Sequence, residues 1–245
     1  METPRKTIIL TGATGGIGTA LVHALLDQGY EVIGACRHPE RLPKLPHLSG
    51  ITLDLGLASS VQEALGALRG RTIHAIINNA GIMPLRTTTI TADGHELTYA
   101  VNYLNTVDFT RRLLPQMEDG GAVVFTTSVT RRLPFRASDA AQRAMRAKSP
   151  WRRFLNYGRT KWLLVLEAQK MAVELAPRRI RVNAADPGVV DTGIITLGWE
   201  RIDRLADKIF RPLISPPAKG ARAALRALTT TATGKVHTQT ATHSG

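Results

Sequence analysis

The sequence predicts a single α/β domain: a doubly wound, mainly parallel sheet of about seven strands with helices on both faces. Short β-rich runs alternate with longer helix-periodic segments along the 245 residues, which is the pattern of repeated strand–helix–strand units. Several of the short runs are continuously apolar, as strands covered on both faces require. The first of them leads directly into a glycine-rich turn, Thr11-Gly12-Ala13-Thr14-Gly15-Gly16-Ile17-Gly18, that opens a helix.

In chain order, Thr7–Leu10 is the first apolar strand, and Ile17–Gln28 is a helix closed by Gly29. The β-branched run Glu31–Cys36 and the short Ile51–Leu53 are the next strands, followed by a helix over Ser59–Leu68 with Ser59 as its cap. Strand four, Ile73–Asn78, precedes one long helix over Gly94–Met117, and strand five is Ala122–Thr127. A helix over Asn156–Leu175 stops at Pro177, and strand six is Ile180–Ala185. The Pro-rich stretch Pro212–Pro217 reads as a loop, Ala218–Leu228 as the last helix, and the spacing leaves room for a seventh strand near Lys235–Thr238. Residues 230–245, rich in Thr, are expected to form a flexible tail.

Composition bounds the function. At 43% hydrophobic and 21% charged residues the chain is typical of globular domains, and no stretch reaches the roughly 18 apolar residues of a membrane-spanning helix. The polar start, Met1 to Thr7, reads as neither signal nor transit peptide, which predicts a cytoplasmic protein. Cys36 is the single cysteine, and the seven histidines show no metal-ligand spacing, so neither a disulfide within the chain nor a metal site is expected. The net charge of +13 is concentrated: Arg131 to Arg153 holds eight basic residues against Asp139 alone. Phe135, Trp151 and Phe154 are the only aromatics in that run, too few for nucleic-acid stacking, so no nucleic-acid partner is expected.

The glycine-rich turn has a physical purpose. A pyrophosphate approaches a backbone closely only where side chains are missing, and the following helix start offers free N–H groups and a positive dipole end. Gly12, Gly16 and Gly18 meet that need, although Gly15 beside Gly16 is also what a merely flexible turn contains. Strand two ends Ala35-Cys36-Arg37-His38. An acidic residue there would hold the ribose 2′-hydroxyl of NAD, whereas Arg37 pairs with a 2′-phosphate, so NADP(H) is expected over NAD(H).

Tyr157 and Lys161 lie four apart on a helix and share one face. An ammonium beside a phenol favours the phenolate, which turns tyrosine into a workable acid/base group. With four Tyr and eight Lys, such a pair arises by chance in roughly one sequence of eight, so its setting decides. Asn78-Asn79-Ala80-Gly81 closes strand four with small residues that allow close backbone approach. Ser128, just past strand five, offers a hydroxyl to a substrate carbonyl beside Tyr157. Pro187-Gly188-Val189-Val190-Asp191-Thr192 follows strand six with a rigid turn and a Thr hydroxyl suited to a carboxamide. Each alone is also ordinary turn chemistry.

From Lys6 to about Lys235 the chain resembles the short-chain dehydrogenase/reductase family, through Gly12-x-x-x-Gly16-x-Gly18, Asn79-Ala80-Gly81, Ser128, Tyr157-x-x-x-Lys161 and Pro187-Gly188 in order. The resemblance implies a Rossmann-type sheet and hydride transfer between a nicotinamide and a carbonyl/alcohol pair. It implies catalytic roles for Asn102, Ser128, Tyr157 and Lys161, with Asn102 supporting a water-mediated proton relay to the lysine. Gly12, Thr14, Gly15, Gly16, Ile17, Gly18, Arg37, Asp54, Leu55, Asn79, Ala80, Gly81, Pro187, Gly188, Val190 and Thr192 are the implied cofactor contacts, joined by Tyr157 and Lys161. One departure is Gly15, where NADP-preferring members often carry a basic residue.

Ser128 and Tyr157 stand 29 positions apart, farther than is usual in the family, so residues 131–153 read as a basic insertion. Residues 138–148 read as a short helix within it. Together with Ala-Cys-Arg at strand two, this length resembles the retinol-dehydrogenase-like branch, whose substrates are often lipophilic. The insertion's arginines either form a solvated surface loop or receive an acidic group of the substrate. Residues 193–217, with Ile194, Ile195, Leu197 and Trp199, read as a lid over a mostly apolar ketone or alcohol. A homodimer or homotetramer is compatible with the family, and a monomer if the insertion covers the dimerising helices. Two other functions share these residues: a cyclisation, isomerisation or dehydration with the same acid/base pair, or a redox-silent NADP sensor.

Overall fold

A computed structural model of the chain describes residues 4–83, 86–133, 144–188 and 216–244. Among them eight strands form one sheet in the order β3-β2-β1-β4-β5-β6-β7-β8. The strands are β1 (Thr7–Thr11), β2 (Glu31–Cys36), β3 (Leu48–Thr52), β4 (Ile73–Asn78), β5 (Met117–Thr126), β6 (Arg181–Ala185), β7 (Lys235–His237) and β8 (Thr242–Ser244). Every pairing from β3 to β7 is parallel, and β8 closes the β7 edge antiparallel. The doubly wound α/β sheet expected from sequence is therefore present, with eight strands in place of about seven.

The helices are α1 (Gly16–Asp27), α2 (Ala58–Ala67), the single turn α3 (Leu97–Tyr99), α4 (Asn105–Leu113), α5 (Pro150–Glu174) and α6 (Pro217–Thr229). Alternation along the strands sends side chains to two separate cores. Ile9, Ile33, Ile76, Val123 and Val182 pack with Val61 and Ala64 of α2, Phe109 of α4 and Leu164 and Met171 of α5. On the other face Ile8, Leu10, Val32, Ile77 and Val124 meet Leu21 and Leu25 of α1 and the alanines Ala221, Ala224 and Ala227 of α6.

Several element boundaries differ from the sequence reading, each for a physical reason. Strand β3 starts three residues early because it is the sheet edge, where exposed Ser49 and Gly50 are tolerated. Ser59 is not the cap of α2. The neighbouring Ser60 hydroxyl instead accepts the Asp54 N–H at 2.9 Å, and Leu57 at the N-cap supplies no side-chain bond. Helix α5 begins six residues before Asn156, with the Ser149 hydroxyl accepting from Arg152 N–H at 3.3 Å and Pro150 at the first helical position. The tail 230–245 contributes β7 and β8 where a flexible segment is expected.

The long helix over Gly94–Met117 is broken. Gly94 has φ +79° in a turn, Glu96 caps Leu97–Tyr99 by accepting the Tyr99 N–H at 2.9 Å, and Ala100–Leu104 widens into a π-turn before α4. The Thr106 hydroxyl donates to the Val101 carbonyl at 2.7 Å, a five-residue reach that fits the wider turn. Pro115, lacking an N–H, stands in the short 3-10 turn that follows α4.

Two glycines test this packing. Nothing lies within 4 Å of a Cβ built at Gly66 in α2, so Gly66→Ala is expected to stabilise by about 0.5–1 kcal/mol through reduced unfolded-chain entropy. At Gly121 in β5 the added Cβ would stand 2.4 Å from the His74 carbonyl oxygen, so Gly121→Ala is expected to destabilise by about 2 kcal/mol or more. Urea unfolding of both variants against the parent chain measures the difference.

Candidate active site

The sheet order reverses between β1 and β4, both central strands, and in such sheets a ligand crevice is expected at the C-terminal ends of the strands on either side of the reversal. Gly12 lines it with φ +66°, where a Cβ would stand 2.9 Å from the Ala80 Cα. A Cβ at Gly18 would lie 2.1 Å from the Gly12 carbonyl oxygen, so α1 can pack against the turn only as glycine. Gly15 meets only an ordinary 3.5 Å contact, so it is not sterically required. It is the N-cap of α1, which has no side-chain cap and no acidic residue in its first turn. The N–H groups at that helix start are thus left for an anion.

Thr11 and Asn79 lock the two crevice walls together. The Thr11 hydroxyl accepts from the N–H groups of Asn79 at 3.1 Å and Ala80 at 3.0 Å, and the Asn79 amide donates to the Thr11 and Gly12 carbonyls, both at 3.2 Å. Sequence reasoning missed Thr11, because a threonine at a strand end has no spacing signal of its own.

Other expected contacts fall along the same edge of the sheet. Arg37 is exposed just past β2, and Thr14 is exposed on the glycine turn. Asp54 follows β3 with one carboxylate oxygen accepting the Gly56 N–H at 2.8 Å. Leu55 is buried in the core, its carbonyl accepting from Asn105 at 2.8 Å, and Ile17 is likewise a core residue. Pro187 and Gly188 follow β6, with Gly188 at φ +71°. Val190, Thr192 and most of the lid expected over 193–217 lie outside the described residues, as does most of the short helix expected over 138–148.

Lys161 is the centre of the site. Its side chain is 3% exposed, its ammonium donates to the Thr126 carbonyl at 2.9 Å, and it lies 5.7 Å from the centre of the Tyr157 ring. Desolvation lowers its pKa from 10.5 to about 8. A Cβ at Gly81 would come within 3.0 Å of this nitrogen and 3.4 Å of Asn102 Oδ1, so Gly81 keeps the space that both side chains use. Asn102, fully buried on the π-turn, accepts the Ile82 N–H at 2.8 Å and donates to the Ile82 carbonyl at 2.9 Å and the Thr160 hydroxyl at 3.2 Å.

Contrary to the lowering expected from a neighbouring ammonium, burial pushes the Tyr157 phenol up to about 12, opposed by a hydrogen bond with Ser128 and reinforced by the negative charge of Asp186. Ser128 is itself buried and caps the turn Val129–Arg132. The fold therefore brings Asn102, Ser128, Tyr157 and Lys161 together at the ends of β4 and β5. This arrangement can donate a proton to, or withdraw one from, an oxygen placed between Ser128 and Tyr157.

Comparison with known proteins bears on the family. A family model described as Enoyl-(Acyl carrier protein) reductase matches residues 12–211. A protein described as a probable oxidoreductase of Streptomyces lividans is 30% identical over 204 residues, covering 78% of this chain and 67% of its own. D-erythrulose reductase of Gallus gallus is 29% identical over 211 residues, covering 84% and 80%. The structure of a short-chain dehydrogenase from Sphingobium yanoikuyae in complex with NADPH superposes with a TM-score of 0.71 at 22% identity, covering 96% of this chain and 88% of that one. The chain belongs to the short-chain dehydrogenase/reductase family of oxidoreductases.

The buried lysine has a consequence for stability. Its folded pKa lies below the unfolded value, so the unfolded chain binds more protons between pH 8 and 10.5, and the penalty for burying the ammonium is full below pH 8 and fades as pH rises through that window. That penalty is on the order of 3 kcal/mol, offset by about 1 kcal/mol for the Thr126 bond. Lys161→Met is therefore expected to be more stable than the parent at pH 7, with the gain shrinking towards pH 10.5, as read by urea unfolding across that range.

Proposed function

We propose that this member of the short-chain dehydrogenase/reductase family uses NADP(H) to move hydride between the nicotinamide and the carbonyl carbon of a mostly apolar ketone, the alcohol being the reverse substrate. The observation that carries the reading is the convergence of Ser128, Tyr157 and buried Lys161 beside a crevice whose walls need glycine. The turn suits a dinucleotide: Gly12 and Gly18 let β1, α1 and the turn after β4 pack closely together, and the uncapped start of α1 suits a pyrophosphate. Arg37, exposed just past the end of β2, supports NADP(H) over NAD(H), since a guanidinium there pairs with a 2′-phosphate.

When bound, the dinucleotide supplies or accepts the hydride. Ser128 hydrogen-bonds the substrate oxygen and orients it towards Tyr157. Tyr157, with its high pKa, is the protonated acid at neutral pH, the form that carbonyl reduction consumes. Lys161 in its charged form lowers the cost of the phenolate left behind, and Asn102 fixes the Gly81-Ile82 backbone beside it. Preference for a mostly apolar substrate is inferred from Val129, Leu133 and Phe154, which with Thr130 and Arg132 line a shallow, open depression on the turn that follows Ser128.

The test is NADPH consumption with a panel of ketones that includes D-erythrulose and a long-chain aliphatic ketone. Tyr157→Phe is expected to lower kcat by about 10²–10⁴-fold, and full turnover in that variant removes the assignment. Arg37→Glu is expected to weaken NADPH use by about tenfold or more while sparing NADH. Reduction should also slow as pH rises through about 8, where Lys161 loses its charge.

A further inference from the structure

The basic insertion begins with an arginine that is not solvated. Arg131 stands on the turn after Ser128, and its guanidinium donates to Asp186 Oδ2 at 2.8 Å, with the two side chains 9% and 5% exposed. Asp186 is the first residue past β6. Its other oxygen accepts the Gly188 N–H at 3.0 Å, and its own N–H donates to the His237 carbonyl at 2.8 Å. Thr126 pairs with Ala185, and the Thr127 N–H donates to the Ala185 carbonyl at 2.8 Å, so Asp186 leaves the sheet beside the turn that carries Ser128. Gln239, past β7, donates to the Pro187 carbonyl at 2.5 Å. One carboxylate thus joins the turns that follow β5 and β6.

Two buried charges are tolerated here because each is the other's partner, and removing one leaves the other uncompensated. An uncompensated Asp186 would stand close to Tyr157, whose ionisation its charge already opposes.

We propose that Arg131 and Asp186 are positioning residues, an ion pair that clamps the Pro187-Gly188 turn to the Ser128 turn and thereby fixes where the nicotinamide end of the cofactor docks. The proposal rests on the cofactor reading above. It also gives Arg131 a task other than receiving an acidic group of the substrate, since its guanidinium is already engaged.

The experiment measures dissociation constants of the full chain for NADPH and for 2′,5′-ADP, which keeps the adenosine and 2′-phosphate but has no nicotinamide. Arg131→Ala is expected to weaken NADPH by about tenfold and to leave 2′,5′-ADP within about twofold, and Arg131→Lys, which keeps the charge, is expected to recover most of the loss. Asp186→Asn preserves the shape and an acceptor for Gly188 while removing the charge, so it carries the comparison if Arg131→Ala does not fold, with a loss in the same direction. Unchanged NADPH affinity in the folded variants overturns the proposal, as does an equal loss for both ligands, which marks a general structural defect. If the parent chain binds neither ligand, the cofactor reading fails first and the proposal falls with it.

Discussion

The C-terminal edge of the sheet is organised around one buried ammonium. Lysine is rarely taken out of water without a carboxylate partner, yet Lys161 has the Thr126 carbonyl as its hydrogen-bond acceptor and Tyr157 as its neighbour. Its surroundings follow from that demand. Gly81 lacks a side chain because the nitrogen occupies the space one would need, and Asn102 is turned inward to hold the backbone of Ile82 in register beside it. The π-turn that interrupts the helix from residue 97 to 113 is the local distortion that aims Asn102, and Thr106 bonds across it. A lowered lysine pKa and a broken helix are thus two expressions of one constraint.

Buried acids are matched as carefully as the buried lysine. Glu167 on α5 takes Arg111 of α4, Glu96 caps the turn before Asn102, and Asp186 takes Arg131. Glu167 and Asp186 are paired with arginines, whereas Glu96 is held by a backbone N–H, and the charge of Asp186 still opposes ionisation of Tyr157. Arg153 is also buried, with its guanidinium donating to the Ala147 carbonyl at 3.3 Å, and Asn156 donates to the Ala144 carbonyl at 3.0 Å. The described end of the insertion is therefore fastened to the first turns of α5, in contrast to a wholly solvated loop.

The sequence and the structure agree where short-range patterns determine the outcome. Central strands such as Ile73–Asn78 are continuously apolar because both faces are covered, and Gly12 and Gly18 stand where any Cβ would collide. The edge strands carry a weaker pattern. Strand β3 carries exposed Ser49 and Gly50, and β8 has only three residues. Gly94 and Pro115 mark the two ends of the interrupted stretch, but the turn at Asn102 depends on its bonds to Ile82 twenty residues away, which no local pattern encodes. Asp186 is the sharpest case. A single aspartate before Pro-Gly has no motif, and only the pairing of β5 with β6 brings it to Arg131, 55 positions earlier.

The excess of positive charge, +13 over the whole chain, bears on the proposed cofactor as well as on the insertion. NADP(H) carries a pyrophosphate and a 2′-phosphate, and a cationic surface raises the local concentration and arrival rate of such an anion, an effect that salt screens within about 10 Å. Arg37 lies exposed at the edge where that anion would enter, and Arg132, Arg146, Lys148 and Arg152 are exposed on the insertion. Arg131 is neutralised by Asp186, and Arg153 is buried. Under the proposed reading the same run of basic residues divides into two roles: inside, arginine holds turns in place; outside, it attracts. Under the proposed reading a polyanionic cofactor accounts for the basic character, and no nucleic-acid partner is needed to explain it.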